Sequence, residues 1–466
     1  MRISFHGAAR NVTGSKHLIT LNNGLTILFD CGMFQGMGEE TDRLNEHFGF
    51  NPAEINYLIL SHAHIDHSGL IPRLIAQGFK GEVLCTAATM DLSRILLMDS
   101  ARIQQQDSDY SNKHRQGKGL PLLKPLYTED DARLAMRQFK ILEYNIEHQI
   151  NEEISVLFTD VGHIIGSAAV HLSIKENDQT TRISYSGDVG RYGDLILKSP
   201  DTFPQADYLL LESTYGDSLH EDAEPTENLL KEIIYQTCIL RGGKVIIPAF
   251  SVGRTQELLY SLNHLEERGI LPDVKYYVDS PLSIKATNVV KSHPENFNKH
   301  VRDVMLHDDD PFNFKNLSFI QDTRASIVLN TDPEPCVIIS ASGMAEAGRV
   351  KHHIKNNISD DKNTILLVGY CEPNSLGGRL AAGYSTVSIF GEEFPVRAEI
   401  RSVRSMSAHG DYNDLLQFIS CQNPEKIKKL FLVHGEYDVQ RNFAEKIQEK
   451  GYKNVEIPER HQQFVL

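Results

Sequence analysis

Six consecutive positions, His62-Ala63-His64-Ile65-Asp66-His67, hold four side chains able to bind a metal ion. Imidazole and carboxylate are donors that suit zinc, and a segment this dense can serve two ions at once. The apolar run Tyr57 to Leu60 leads directly into it. The arrangement therefore predicts a strand that ends in a ligand loop. On such a loop His62 and His64 can point one way while Asp66 and His67 turn toward a neighbouring position. Three histidines and an aspartate packed this closely are a strong site signal. A pair of ions needs more donors than one loop supplies, so the fold must bring further ligands from other strand ends. Two glycine-flanked turns are placed to do this: Gly162-His163-Ile164 follows a strand ending near Asp160, and Gly187-Asp188-Val189-Gly190 closes another.

The segment, with its preceding strand and following Gly69, resembles the metallo-β-lactamase superfamily of hydrolases. The resemblance implies an α/β fold, the αββα sandwich. It implies His62, His64, His163 and Asp188 at one zinc, and Asp66, His67 and a bridging Asp188 at a second. Asp30, in Leu28-Phe29-Asp30-Cys31-Gly32, matches a position that supports the histidine loop by accepting a hydrogen bond from behind it.

Three later motifs select a branch. They are Leu210-Leu211-Glu212-Ser213-Thr214, Ser405-Met406-Ser407-Ala408-His409-Gly410-Asp411 and Leu432-Val433-His434-Gly435-Glu436. They look like the additional motifs of the β-CASP group, the nucleic-acid-processing branch of the superfamily. Pro248-Ala249-Phe250-Ser251-Val252-Gly253-Arg254 and Ala341-Ser342-Gly343-Met344 fit the same branch. The resemblance covers nearly the whole chain. It is nearest to the bacterial and archaeal relatives of the endonuclease subunit of the pre-mRNA 3′-end cleavage complex. It implies that Glu212 partners His409 and that His434 completes the second zinc. Residues 1–211 and 398–466 would form the metallo-β-lactamase domain, interrupted by a β-CASP α/β domain at 212–397.

The chemistry so implied is phosphodiester hydrolysis with two zinc ions per chain, which activate water and neutralise the scissile phosphate. Asp66 would orient the nucleophile besides binding metal, and His409, oriented by Glu212, would protonate the leaving oxygen. Ser342, Arg349, Arg379 and Ser407 are candidate phosphate contacts. Asn374-Ser375-Leu376-Gly377-Gly378-Arg379 reads as an anion-holding turn or a plain hairpin turn.

Composition bounds the partners. The 466 residues carry a net charge of -15, which argues against coating nucleic acid non-specifically through a basic surface. No run approaches the roughly 18 apolar residues that span a membrane, and the N-terminus lacks an apolar signal core. A cytoplasmic protein that binds no membrane is expected. The 6 cysteines form no C-x-x-C pair, so neither a zinc ribbon nor a disulfide framework is indicated. No KH-type region precedes the motifs, so substrate selection is expected from the core or from partners.

Strand signals at Arg2–Phe5, His17–Leu21, Leu25–Phe29 and Glu82–Cys85, and from Ile154 to Leu211, suggest stacked sheets. Between Glu212 and Arg397, strands alternate with helices, the pattern of a parallel sheet. A helix is expected from Ala88 to about Gln106, and the polar tract Asp107–Lys118 reads as a surface loop.

Four functions compete. DNA-acting members of the group usually carry an apolar residue where this chain has His434, which favours single-stranded RNA as substrate. The large cassette after Glu212 argues against a small-molecule metallohydrolase. A filled ligand set argues against an inactive scaffold. The mode of attack, endonucleolytic or 5′-exonucleolytic, stays open. So does the oligomeric state, although similar proteins are commonly homodimers.

Overall fold

The computed structural model describes residues 1–38, 40–176, 179–220, 226–369, 371–403 and 406–466. The chain divides into two compact units, Met1–Leu219 with His409–Leu466, and His220–Ala408.

The first unit is an αββα sandwich. One seven-stranded sheet runs from the chain's last strand, Gln463–Val465, through Arg2–Gly7, Lys16–Thr20, Thr26–Phe29, Tyr57–Ile59 and Glu82–Cys85 to Phe139–Ile141. The other runs from Val455–Glu456 through Lys429–Val433, Tyr208–Glu212, Gln179–Tyr185, Ala168–Glu176 and Ile154–Asp160 to His148–Gln149. Alternating apolar residues turn inward from both sheets and meet in a buried layer that includes Phe5, Phe29, Phe158, Val170, Tyr185 and Phe431. The outer faces are covered by helices. Ile71 and Leu74 pack on Leu28, Leu58 and Leu60 of the first sheet. Leu415, Phe418, Phe443 and Ile447 pack on Leu209, Leu211, Leu430 and Leu432 of the second.

Strand direction places the site. Thr26–Phe29, Tyr57–Ile59 and Glu82–Cys85 are parallel to one another, as are the ends of Gln179–Tyr185, Tyr208–Glu212 and Lys429–Val433. Parallel strands finish on the same side, so Asp30 and Ser61 emerge together from one sheet. Asp188, Ser213 and His434 emerge together from the other.

The second unit is built on a six-stranded sheet in the order Leu317–Phe319, Lys275–Val278, Cys336–Ser340, Val245–Pro248, Thr364–Val368, Glu399–Val403, parallel throughout. This is the inserted parallel α/β domain that the strand–helix alternation predicts. Its limits differ from the expected 212 and 397. Glu212 belongs to a strand of the first unit, and Glu399–Val403 pairs with Thr364–Val368 in the second.

Two further expectations are corrected. The tract Asp107–Lys118 is not a loop. The helix runs Ala87–Gln116, with no proline or glycine to stop it before Gly117. Its last turns are held by the following segment: Asn112 bonds both the N–H and the carbonyl of Leu123, and Arg115 donates to the carbonyl of Pro121. The stretch Asn374–Arg379 is not a hairpin turn. Ser375 caps a short helix, Leu376–Ala381, by accepting from the N–H of Gly378. All six cysteines are free thiols.

Candidate metal centre

The loop after Tyr57–Ile59 breaks into a four-residue helix, Ile65–Ser68, and this break separates the donors. His62 and His64 lie before it and converge with His163 and Asp188. His62 Nε2 and His163 Nε2 each lie 3.1 Å from His64 Nδ1, and they are 3.4 and 3.7 Å from Asp188 Oδ2. Asp66 and His67 lie on the helix and converge with His434. His67 Nε2 is 3.2 Å from His434 Nε2, which is 3.4 Å from Asp66 Oδ2. Asp188 Oδ2 is also 3.3 Å from His67 Nε2, so one carboxylate oxygen faces both clusters. The loops bearing His163 and Asp188 are pressed together, and a Cβ on Gly190 would fall 2.1 Å from the carbonyl oxygen of Gly162.

The hydrogen bonds behind the donors set their tautomers. Asp30 is wholly buried and accepts four bonds: from Ser61 N–H (2.7 Å), Ser61 Oγ (2.8 Å), Tyr185 Oη (2.7 Å) and His67 Nδ1 (2.7 Å). The proton of His67 is thereby held on Nδ1, leaving Nε2 a lone pair aimed at the cluster. Ser61 gives its hydroxyl proton to Asp30, so it accepts from His62 Nδ1 at 3.1 Å, and His62 Nε2 is left bare in turn. Thr214 repeats the device at His434: its hydroxyl donates to the carbonyl of His434 and faces His434 Nδ1 at 3.1 Å. Asp30 and His434 both adopt left-handed backbone, φ 57° and 52°, at a cost of about 1–2 kcal/mol each that the surrounding bonds must offset.

The electrostatics suit cations. Burial holds His62 and His64 below the usual imidazole value, His64 at about 4, so both are neutral donors. Burial alone would raise Asp66, but the bond from His434 and the nearby histidines bring it down to about 2. His67 goes the other way. Burial opposes its charged form, yet Asp188 and Asp30 outweigh burial and raise it well above its ordinary value. A proton there balances carboxylates that a divalent cation would otherwise balance. Asp188 Oδ1 is buried without a hydrogen-bond partner, an acceptor that a metal ion would satisfy. Lone-pair donors meeting at 3.1–3.7 Å, with few protons between them, fit two zinc ions.

A third group adjoins these. Glu212 is fully buried and accepts from the N–H of Val189 (2.7 Å) and of Thr214 (3.0 Å). Its Oε1 faces His409 Nδ1 at 3.1 Å, and the ring of His409 lies 4.5 Å from that of His163. Burial opposes the charged ring, but the Glu212 carboxylate overcomes it and lifts His409 to about 9.

Every expected ligand of the first unit thus falls in one region. The phosphate-contact candidates Ser342, Arg349, Arg379 and Ser407 lie in the second unit. The guanidinium of Arg349 is taken up there by Asp279 (2.6 Å) and by the carbonyls of Ile320 and Gln321. Ser405, which opens the His409 motif, lies outside the described residues. Tyr185, Ser61 and Thr214 were not singled out from the sequence. Their positions beside Asp188, His62 and Glu212 were the available signal, but hydroxyl residues next to a motif are common.

Three family descriptions match the chain: the metallo-beta-lactamase superfamily over residues 14–234, the Beta-Casp domain over 255–380, and the Zn-dependent metallo-hydrolase RNA specificity domain over 393–458. Ribonuclease TTHA0252 of Thermus thermophilus is 35% identical, over 94% of this chain and 93% of that protein. An RNase J-like protein of Methanocaldococcus jannaschii is 32% identical over 98% and 96%. The transcription termination factor FttA of the same organism is 31% identical over 98% of this chain and 70% of its own length. A crystal structure of a protein of unknown function from Enterococcus faecalis superposes over the whole chain with a TM-score of 0.51 at 14% identity, a likeness of fold alone.

Proposed function

Because the chain belongs to the β-CASP group of the metallo-β-lactamase superfamily, we propose that it is a ribonuclease that hydrolyses phosphodiester bonds of single-stranded RNA with two zinc ions per chain. The observation that carries this reading is the pair of donor clusters sharing Asp188 Oδ2, with His409 and Glu212 beside them. His62, His64 and His163 would hold one ion, Asp66, His67 and His434 the other, and Asp188 both. Bound zinc lowers the pKa of water toward neutrality and neutralises charge on a phosphate.

The chain's own residues supply the rest. Asp30, Ser61 and Thr214 keep His62, His67 and His434 in the tautomers that bind metal. Asp66 stays ionised and orients the nucleophile. His409, charged below about pH 9, holds a proton for the departing oxygen, while Glu212 fixes its ring. Among the described residues no helix is long and apolar enough to cross a membrane.

Zinc-loaded protein should cleave 5′- and 3′-labelled single-stranded RNA faster than DNA of the same sequence. Two label positions also separate internal cutting from stepwise 5′ attack. Equal or faster cleavage of DNA would favour the DNA-processing alternative. No cleavage of either, with zinc bound, would refute nuclease activity.

A further inference from the structure

Away from the metal centre, the first unit contains a cavity of about 280 Å³ lined by His6, Phe34, Arg43, His47, Arg460 and His461. Leu44 and Gly49 complete the lining, and no carboxylate takes part. In a chain with a net charge of -15 this is a local reversal of sign. We propose that this recess binds a phosphate-class oxyanion.

The wall is built from distant parts of the chain. Ser4 Oγ lies 2.9 Å from His6 Nε2, and His6 Nδ1 lies 3.0 Å from His461 Nδ1, so the two rings form a fixed pair. Gly49 passes directly over that pair with φ 81°, and a Cβ there would lie 2.4 Å from His461 Cε1. Only glycine permits the recess in this form. Phe34 also lines the recess, and the buried ammonium of Lys16 lies 4.3 Å from its ring centroid. Lys16 is anchored by the carbonyls of Gly14 and Gly32, each at 2.7 Å.

The charges are only partly answered within the protein. Arg43 pairs with Glu40 at 2.7 Å on an exposed helix face, where a single ion pair contributes little. Arg460 and His47 have no hydrogen-bond or ion-pair partner among the described residues. Two guanidiniums lining one recess repel, and a phosphate relieves that repulsion while accepting their planar N–H donors. Mutual repulsion shows in the neighbours too. Burial and then His461 and Lys16 hold His6 at about 4, and burial with Arg460 opposes the charge on Lys16. The recess is tied to the metal centre by backbone. His6 lies two residues before Ala8, whose carbonyl accepts the N–H of His434 at 2.8 Å. A phosphate of an RNA chain and a free phosphate compound are both sources of the same chemistry.

The test begins with calorimetric titration of inorganic phosphate into zinc-loaded protein, wild type against R43Q/R460Q. Neither arginine belongs to the metal centre, so phosphate taken up by zinc serves as an internal control. Wild type should show a site that the double variant loses or weakens at least tenfold, and crystals soaked in selenate should show an anomalous peak between Arg43 and Arg460. R460Q alone, at an exposed position without a partner, keeps the test readable if the double variant folds poorly. An unchanged isotherm together with no selenate peak overturns the proposal. Turnover then identifies the source. A raised KM for single-stranded RNA with unchanged kcat assigns the site to the RNA chain, and an unchanged KM with the phosphate site lost assigns it to a free phosphate compound. Only this last arm rests on the ribonuclease reading. Absence of turnover would sink that reading and leave the phosphate titration intact.

Discussion

Replacing Asp30 with asparagine should weaken zinc binding at both positions, although Asp30 is in neither donor cluster. The carboxylate accepts four bonds, two of which set metal-binding tautomers: directly at His67, and through Ser61 Oγ at His62. An asparagine amide keeps one acceptor oxygen, which the N–H of Ser61 can retain. Its NH₂ must then face groups that now donate. Ser61 and Tyr185 can turn their hydroxyl protons away at small cost, but His67 can relieve the clash only by moving its proton to Nε2. That removes the lone pair aimed at the second ion. Loss of such a supporting hydrogen bond typically costs about 10- to 100-fold in metal affinity, or roughly 1.4–2.8 kcal/mol at tenfold per 1.4 kcal/mol. The ion at His67 and His434 should suffer the full amount. The ion at His62 should suffer less, because Ser61 intervenes. The shape of the side chain is preserved, so far-ultraviolet circular dichroism should not change. Competition against a chromophoric zinc chelator would measure both affinities. Two zinc ions bound within twofold of wild-type affinity would refute the tautomer argument.

His409→Ala should leave two zinc ions bound and lower kcat by about 10²- to 10⁴-fold, the usual loss for a proton donor; loss of one ion on elemental analysis would make His409 a ligand instead. In Glu212→Gln the alkaline limb of the pH–rate profile should move to lower pH. The carboxylate raises the pKa of His409, the acid form persists below that pKa, and activity fades as pH rises through it; an unmoved limb would show that His409 is not the titrating acid. Tyr185→Phe removes one of the four donors to Asp30 but keeps the stack on Phe29, 5.2 Å between centroids. It should weaken zinc binding less than Asp30→Asn does, and the two effects should not add; full additivity would place Tyr185 outside the network. Phe431→Ala opens the layer between the sheets, where Phe431 lies 5.1 Å from Phe5, and should cost about 3–5 kcal/mol in chemical denaturation.

The convergence of the candidate donors was legible in the sequence because coordination chemistry is local in residue type. Histidine and aspartate crowded into His62–His67 have few structural uses. The glycine-flanked His163 and Asp188 and the strand-end His434 carry the same mark once the first motif sets the context. The stacked sheets of the first unit and the parallel sheet of the second followed from runs of apolar residues, whose spacing is also local. What the sequence could not decide depended on partners far along the chain. The helix persists to Gln116 because Leu123 and Pro121 return to hold it. Glu399–Val403 joins the second unit because Thr364–Val368 offers it an edge, and Gln463–Val465 becomes a strand because Arg2–Ser4 does. The bonds by which Asp30 reaches Tyr185 and His67, and the recess that sets Arg43 against Arg460, likewise join residues far apart in the chain, in the last case by more than four hundred positions. The sequence by itself determined which atoms can bind metal. Only the tertiary structure decided which protons those atoms keep, because a tautomer is set by the group behind the ring, and that group comes from another strand.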